Sequence, residues 1–343
     1  MVTRLRHQRR DALRPHNKSM HQRPDTRNQK LVVLTGGTGG AKFVQGLVRV
    51  VAPEDVTVIV NTGDDLRWWG LHVSPDIDSI LYALSGLLSR ERGWGVEGDT
   101  FTCLERMRQL GAPSWFQLGD RDLATHLHRT ALLATHTLTE ATAELASKMG
   151  VRSRVLPMTD DRVETRVSTP AGELSFQEYF VRERYSVPVS NVRFEGAVRA
   201  QPAPGVIEAI REAEAVFIAP SNPVTSVGPI LAVPGIREAL RTTSAEIAAI
   251  SPIVGGAAVS GPAGALMKTQ GLPISFIGVA QAYEDFLDVI IADESDRKSI
   301  AEQNAAEIRF VFTNAIMSSD EAKASLARTA LGSVTLSGAA QPR

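Results

Sequence analysis

The chain has 343 residues, 43% of them hydrophobic, and a formal net charge of −1, enough apolar residue to bury a sizeable core in one large or two modest domains. Cys103 is the only cysteine, which rules out an intrachain disulfide or a cysteine-rich metal site and fits a reducing, cytoplasmic setting. The charge is uneven: residues 1–30 carry nine Lys/Arg against two Asp, leaving the body mildly acidic. With no apolar run, this basic leader is read as a disordered segment, neither a secretory signal nor a membrane anchor, and Met20 is an alternative start. It lacks the interleaved aromatics of a nucleic-acid-binding tail.

In chain order, an apolar strand at Leu31–Thr35 runs through "GGTGG" into a helix near residues 42–51, and residues 56–61 give a second strand, a βαβ opening. "SPDIDSILYALSGLLSR" is a helix with Ser74 as cap and Pro75 at its first position. Its apolar residues, Ile77, Ile80, Leu81, Leu84, Leu87 and Leu88, recur at three- and four-residue steps. Further helices follow to Gly150, one announced by the capping-box spacing of Thr137 and Glu140. Residues 151–201 alternate polar and apolar, with Pro170-Ala-Gly172 as a hairpin turn, and read as a small β-rich insertion. Strands interleaved with helices resume after Pro204, at 215–219, 246–250, 274–280, 289–292 and 309–313. Two uncharged stretches, 215–236 and 247–267, are long enough to span a bilayer, yet their prolines and glycines make each a strand, loop and helix start.

The expected architecture is a doubly wound, mostly parallel Rossmann-like α/β sheet built from residues 31–150 and 202–343, its ligand at the carboxyl ends of the strands. Gly36, Gly37, Thr38, Gly39, Gly40 and Lys42 then form an amide nest at a helix start, suited to phosphate. The spacing matches neither the dinucleotide fingerprint nor the P-loop. Asp64 and Asp65, adjacent after the second strand, suit Mg²⁺, which takes a few carboxylate oxygens and keeps water or substrate phosphates as its other ligands. Asp76 and Asp78 fall in the first turn of the next helix, where carboxylates complement the helix dipole. Asp78 shares a face with Tyr82 and Ser85, away from the apolar stripe, and is read as functional.

All four tryptophans, Trp68, Trp69, Trp94 and Trp115, lie beside loop signals and offer stacking surface for a planar ligand. His126 and His128 are two apart on one helix and point away from each other, which argues against a shared metal. "LPMTDDRVETR" supplies Asp160, Asp161, Arg162 and Arg166, the arginines being fit for a carboxylate or phosphate. The uncharged loops around Ser221-Asn222-Pro223 and Gly255-Gly256 each follow a strand and could complete a nucleotide site.

Together these motifs resemble the CofD/FbiA family of coenzyme F-420 biosynthesis. The similarity runs in order through "GGTGGAK" at 36–42, "NTGDD" at 61–65, "SPDIDSILY" at 74–82, "LGDRDLATH" at 118–126, "LPMTDDRVETRV" at 156–167, "APSNPVTSVGPI" at 219–230, "SPIVGG" at 251–256 and "SGPAG" at 260–264. The resemblance implies a Mg²⁺-dependent homodimeric transferase. It would move a phospho-carboxylate, phosphoenolpyruvate or 2-phospho-L-lactate, from its guanosine diphosphate conjugate to the hydroxyl of the deazaflavin Fo, releasing GMP. The glycine loop, Ser221-Asn222-Pro223 and Gly255-Gly256 would hold the guanosine donor. Asp78, Trp115 and Gln117 would meet Fo, although some relatives have lysine at the place of Gln117. Phosphoryl transfer asks mainly for positioning and charge neutralisation, which these residue types provide. Two other readings share the βαβ opening. A nicotinamide dehydrogenase would want a single acid about twenty residues past the glycines; a nucleotide-sugar-binding regulator of the gluconeogenesis-factor type would have little use for four loop tryptophans.

Overall fold

A computed structural model describes residues 29–302 and 308–336; the basic leader lies almost wholly outside the described residues. The chain runs β1 (Leu31–Thr35), α1 (Gly37–Leu47), β2 (Val56–Val60), a hairpin of β3 (Leu66–Trp68) and β4 (Leu71–Val73), and α2 (Pro75–Ser85). Three helices follow, α3 (Thr102–Gln109), α4 (Asp120–Leu132) and α5 (Leu138–Lys148), then β5 (Arg154–Pro157) and three strands β6 (Glu164–Thr169), β7 (Gly172–Ser175) and β8 (Asn191–Glu195). The second half comprises α6 (Val206–Arg211), β9 (Ala215–Ile218), α7 (Gly228–Ala232), α8 (Ile236–Thr242), β10 (Glu246–Ile250), the short pair β11 (Ile253–Val254) and β12 (Ala257–Ala258), α9 (Ala263–Thr269), α10 (Phe276–Ala282), β13 (Val289–Asp293), β14 (Arg309–Thr313) and α11 (Asp320–Gly332).

Seven strands form one sheet in the order β14-β13-β10-β9-β1-β2-β5, every neighbouring pair parallel. Successive side chains of β1 go to opposite faces. Leu31 and Val33 join a core formed with α1, α2, α5 and α11, whereas Val32 and Leu34 join one formed with α6 to α10. A parallel sheet covered on both faces needs near-continuous apolar strands, and β1 is buried at all five positions. From β1 the chain moves one way to β2 and β5, then crosses back to β9, β10, β13 and β14. The crevice between β1 and β9 is therefore the switch point, where ligands of such folds bind.

Several local expectations hold. Thr137 and Glu140 form a reciprocal capping box, Gly172 turns the β6–β7 hairpin with φ 122°, and the two uncharged stretches become β9–loop–α7 and β10–hairpin–α9. No helix among the described residues is long and apolar enough to cross a membrane. Three expectations are corrected. Residues 274–280 are not a strand: Ser275 accepts a hydrogen bond from the Gly278 amide and starts α10, and the short buried apolar run Phe276–Ala280 carries no period to separate the two states. The β-rich segment begins after Pro157, because Arg154–Pro157 pairs with β2 as the sheet's edge strand. The first helix begins at Gly37, inside the glycine loop.

Candidate active site

The loops after β1, β2, β5 and β9 meet at the carboxyl edge of the sheet. There the glycine loop is packed by the protein itself. A Cβ on Gly36 would come within 2.6 Å of Asp76 Oδ2, one on Gly39 would overlap the Pro220 carbonyl, and one on Gly40 would overlap Thr35 Oγ1 and press on Ser221 Oγ. Ser221 accepts from the Gly36 amide (3.3 Å) and donates to the Gly36 carbonyl (2.7 Å), locking the β1 and β9 loops together. Asn222 is occupied in capping Val224 and Thr225. Of the amides opening α1, that of Gly37 donates to Asp76 Oδ1 (2.7 Å). The next two, of Thr38 and Gly39, have no intrahelical partner by the geometry of a helix start, so α1 presents a positive end at the switch point. Lys42 is half-buried on the following turn.

Asp76 ties this loop to the next one. Its Oδ2 accepts from Asn61 Nδ2 (2.9 Å), and Asn61 Oδ1 accepts from the Gly63 amide (2.8 Å), shaping the turn that carries Asp64 and Asp65. Both acids line a cavity of about 650 Å³. Asp64 is 5% exposed, and one carboxylate oxygen of each residue, Oδ1, is buried without a hydrogen-bond partner. Burial, followed by repulsion from Asp76, raises the Asp64 pKa well above the ordinary carboxylate range. Burial also raises Asp65, opposed by His72, and brings Asp76 to about 6. Among the described residues no three His, Cys, Asp or Glu side chains gather as a metal cluster. Two unpartnered carboxylate oxygens nonetheless fit a hard divalent cation that takes its other ligands from water and substrate.

The rest of the cavity comes from the β3–β4 hairpin, Trp115, the start of α5, the turn after β5, and β6 with its neighbours. Trp68 meets Trp115 edge-on with centroids 4.8 Å apart, and Trp69 and Phe116 pack around them. Trp94 stands apart against Phe101 and Arg92. Asp160, Asp161, Arg162 and Arg166 all line the cavity, the arginines paired with Glu164. Gln117 is exposed and off the cavity wall. Gly255 and Gly256 form a two-residue hairpin turn with φ of 59° and 77°, a conformation that itself calls for glycine.

The structure removes Asp78 from the cavity. It is 4% exposed, and its two oxygens take a forked ion pair from Arg129, which is fully buried. His126 lies between Asp78 and Asp122, and Tyr82 donates to Asp122 Oδ1 (2.7 Å). The polar face of α2 thus packs on α4 rather than on a ligand. His126 is buried and His128 half-exposed, on opposite sides of α4 as expected. Cavity residues without any sequence signal are His72, His136, Gln177 and Glu178.

Fold and site together define a doubly wound α/β protein with an acidic ligand cavity at its carboxyl edge. More narrowly, the chain belongs to the CofD family: the family described as 2-phospho-L-lactate transferase CofD matches residues 31–330. It is accordingly an enzyme of the transferase class. A 2-phospho-L-lactate transferase of Methanothermobacter thermautotrophicus is 43% identical over 90% of this chain and 99% of its own. One of Methanosarcina mazei is 43% identical over 78% of this chain and 88% of its own. A phosphoenolpyruvate transferase of Kitasatospora aureofaciens is 44% identical over 88% of this chain and 97% of its own. In fold the chain is similar to a Bacillus halodurans protein described as a member of the UPF0052 family, with a TM-score of 0.58 at 18% identity, over 89% of this chain and 99% of that one.

Proposed function

We propose that this transferase moves a phosphoenolpyruvate or 2-phospho-L-lactate group from its guanosine diphosphate conjugate to the primary hydroxyl of the deazaflavin Fo, releasing GMP. The observation that carries the reading is the pairing of the open α1 N-terminus with Asp64 and Asp65, linked through Asp76 and Asn61, in a chain of this family. The hydroxyl oxygen bonds to the phosphorus bearing the acid, the bond from that phosphorus to the bridging oxygen breaks, and GMP leaves with that oxygen. The amides of Thr38 and Gly39 bind the diphosphate. Asp64 and Asp65 hold Mg²⁺, whose contribution is to neutralise charge on the transferring phosphoryl group. Trp68 and Trp115 orient the flat ring, and Arg162 and Arg166 face the carboxylate of the transferred acid. The assembly implied is a homodimer, which sedimentation would test.

Incubating the purified chain with Fo, Mg²⁺ and each candidate conjugate, phosphoenolpyruvate, 2-phospho-L-lactate or 3-phosphoglycerate, tests the reading. Mass spectrometry should find one acid joined to Fo together with released GMP. Absence of product from all three, with Fo unchanged, overturns it.

A further inference from the structure

We propose that His72 is a positioning residue for Asp65: with Ser74 it grips carboxylate oxygen Oδ2, leaving Oδ1 as the single oxygen that Asp65 gives to a divalent cation. The inference rests on the reading of Asp64 and Asp65 as cation ligands.

The grip is a pincer. His72 Nε2 lies 2.9 Å from Asp65 Oδ2, Ser74 Oγ donates to the same oxygen at 2.7 Å, and the two gripping atoms are 3.1 Å apart. An ionised carboxylate only accepts, so Nε2 carries the proton in this contact. Oδ1 of the same residue is buried and unpartnered. The jaws are held by three separate elements. Arg67 pairs with His72 across the β3–β4 hairpin, the His72 amide donates to Thr130 Oγ1 of α4 at 2.8 Å, and the Ser74 carbonyl accepts from the Asp78 amide at the start of α2.

Ser74 adds an independent observation. It stands at the N-cap of α2, where a serine ordinarily accepts from an amide of the first turn for about 1 kcal/mol. Here it makes no side-chain capping bond, and its hydroxyl turns to Asp65 instead. A helix end that forgoes its cap to fix one carboxylate oxygen indicates that the orientation of that carboxylate matters. Partners of this kind set the direction and basicity of metal ligands, and their loss ordinarily weakens metal binding about 10- to 100-fold.

The test is calorimetric titration of the full-length chain with Mg²⁺, and with Mn²⁺ as a paramagnetic probe, without substrate. His72→Leu should weaken cation binding by about tenfold or more. His72→Gln, whose amide nitrogen reaches the place of Nε2, should recover most of that loss, and Ser74→Ala should weaken binding in the same direction. A wild-type chain that binds neither cation overturns the cation reading itself. Wild-type binding with unchanged affinity in folded His72→Leu and Ser74→Ala overturns this inference alone. So does failure of His72→Gln to recover affinity at an unchanged melting temperature. Should His72→Leu fail to fold, the Gln and Ala variants decide.

Discussion

Arg129 spreads its guanidinium across both carboxylate oxygens of Asp78 at a place where the two side chains are 0% and 6% exposed. Removing one member of such a pair strands the other charge in the interior, at a cost on the order of 3–5 kcal/mol. Asp78→Asn is therefore expected to lower unfolding free energy by about 3 kcal/mol in urea titrations, and Asp78→Asn with Arg129→Gln should cost less than the sum of the single changes. A variant of unchanged stability whose turnover collapses would instead return Asp78 to direct contact with substrate.

The acids around the cavity predict an unusual pH response. Folding raises Asp64 and Asp76, so between about pH 4 and about pH 6 the native chain binds more protons than the unfolded one. The Asp76 contribution is complete below the unfolded carboxylate range and is lost as pH rises through about 6, and that of Asp64 is lost in the same direction. Asp76→Asn should remove part of this dependence, so the wild-type minus variant difference in unfolding free energy should fall as pH rises across that window. A flat difference would show that Asp76 is not held in its neutral form. Because a cation favours the ionised acids, excess Mg²⁺ should raise the melting temperature more at about pH 7.5 than at about pH 5.

The glycine loop was legible as a strand-to-helix turn, but not what fills the space its missing side chains leave. Pro220, Ser221 and Asp76 do so from distant parts of the chain. Gly40→Ala should therefore destabilise by about 1–3 kcal/mol through overpacking against Thr35 and Ser221, seen as a lower melting temperature with or without ligand. Equal stability, with loss only of nucleotide binding, would mean that Gly40 is kept small for a ligand.

The same limit explains how Asp78 was misplaced. Helical periodicity shows that Asp78 and Tyr82 share a polar face. It does not show that Arg129, 51 residues away, covers that face. Periodicity and turn chemistry act within a few residues and carried the sheet, its caps and the Asp64-Asp65 turn. His72, His136 and Gln177 reach the cavity only through tertiary packing, and no local pattern marks them.

The tryptophans allow a prediction with an internal control. Trp115 and Trp68 share the cavity wall, whereas Trp94, 36% exposed, lies off it against Phe101 and Arg92. Stacking of a planar ring on an indole contributes on the order of 1–1.5 kcal/mol, roughly tenfold in affinity. Trp115→Ala should weaken Fo binding by about that factor, read by fluorescence titration. Trp115→Phe should recover part of the loss, because a smaller ring still stacks, and GDP should bind as before. Trp94→Ala should leave the Fo titration unchanged while keeping the indoles of the cavity as reporters. Equal losses from Trp94→Ala and Trp115→Ala would take the flat ring away from this wall, since Trp94 does not line the cavity.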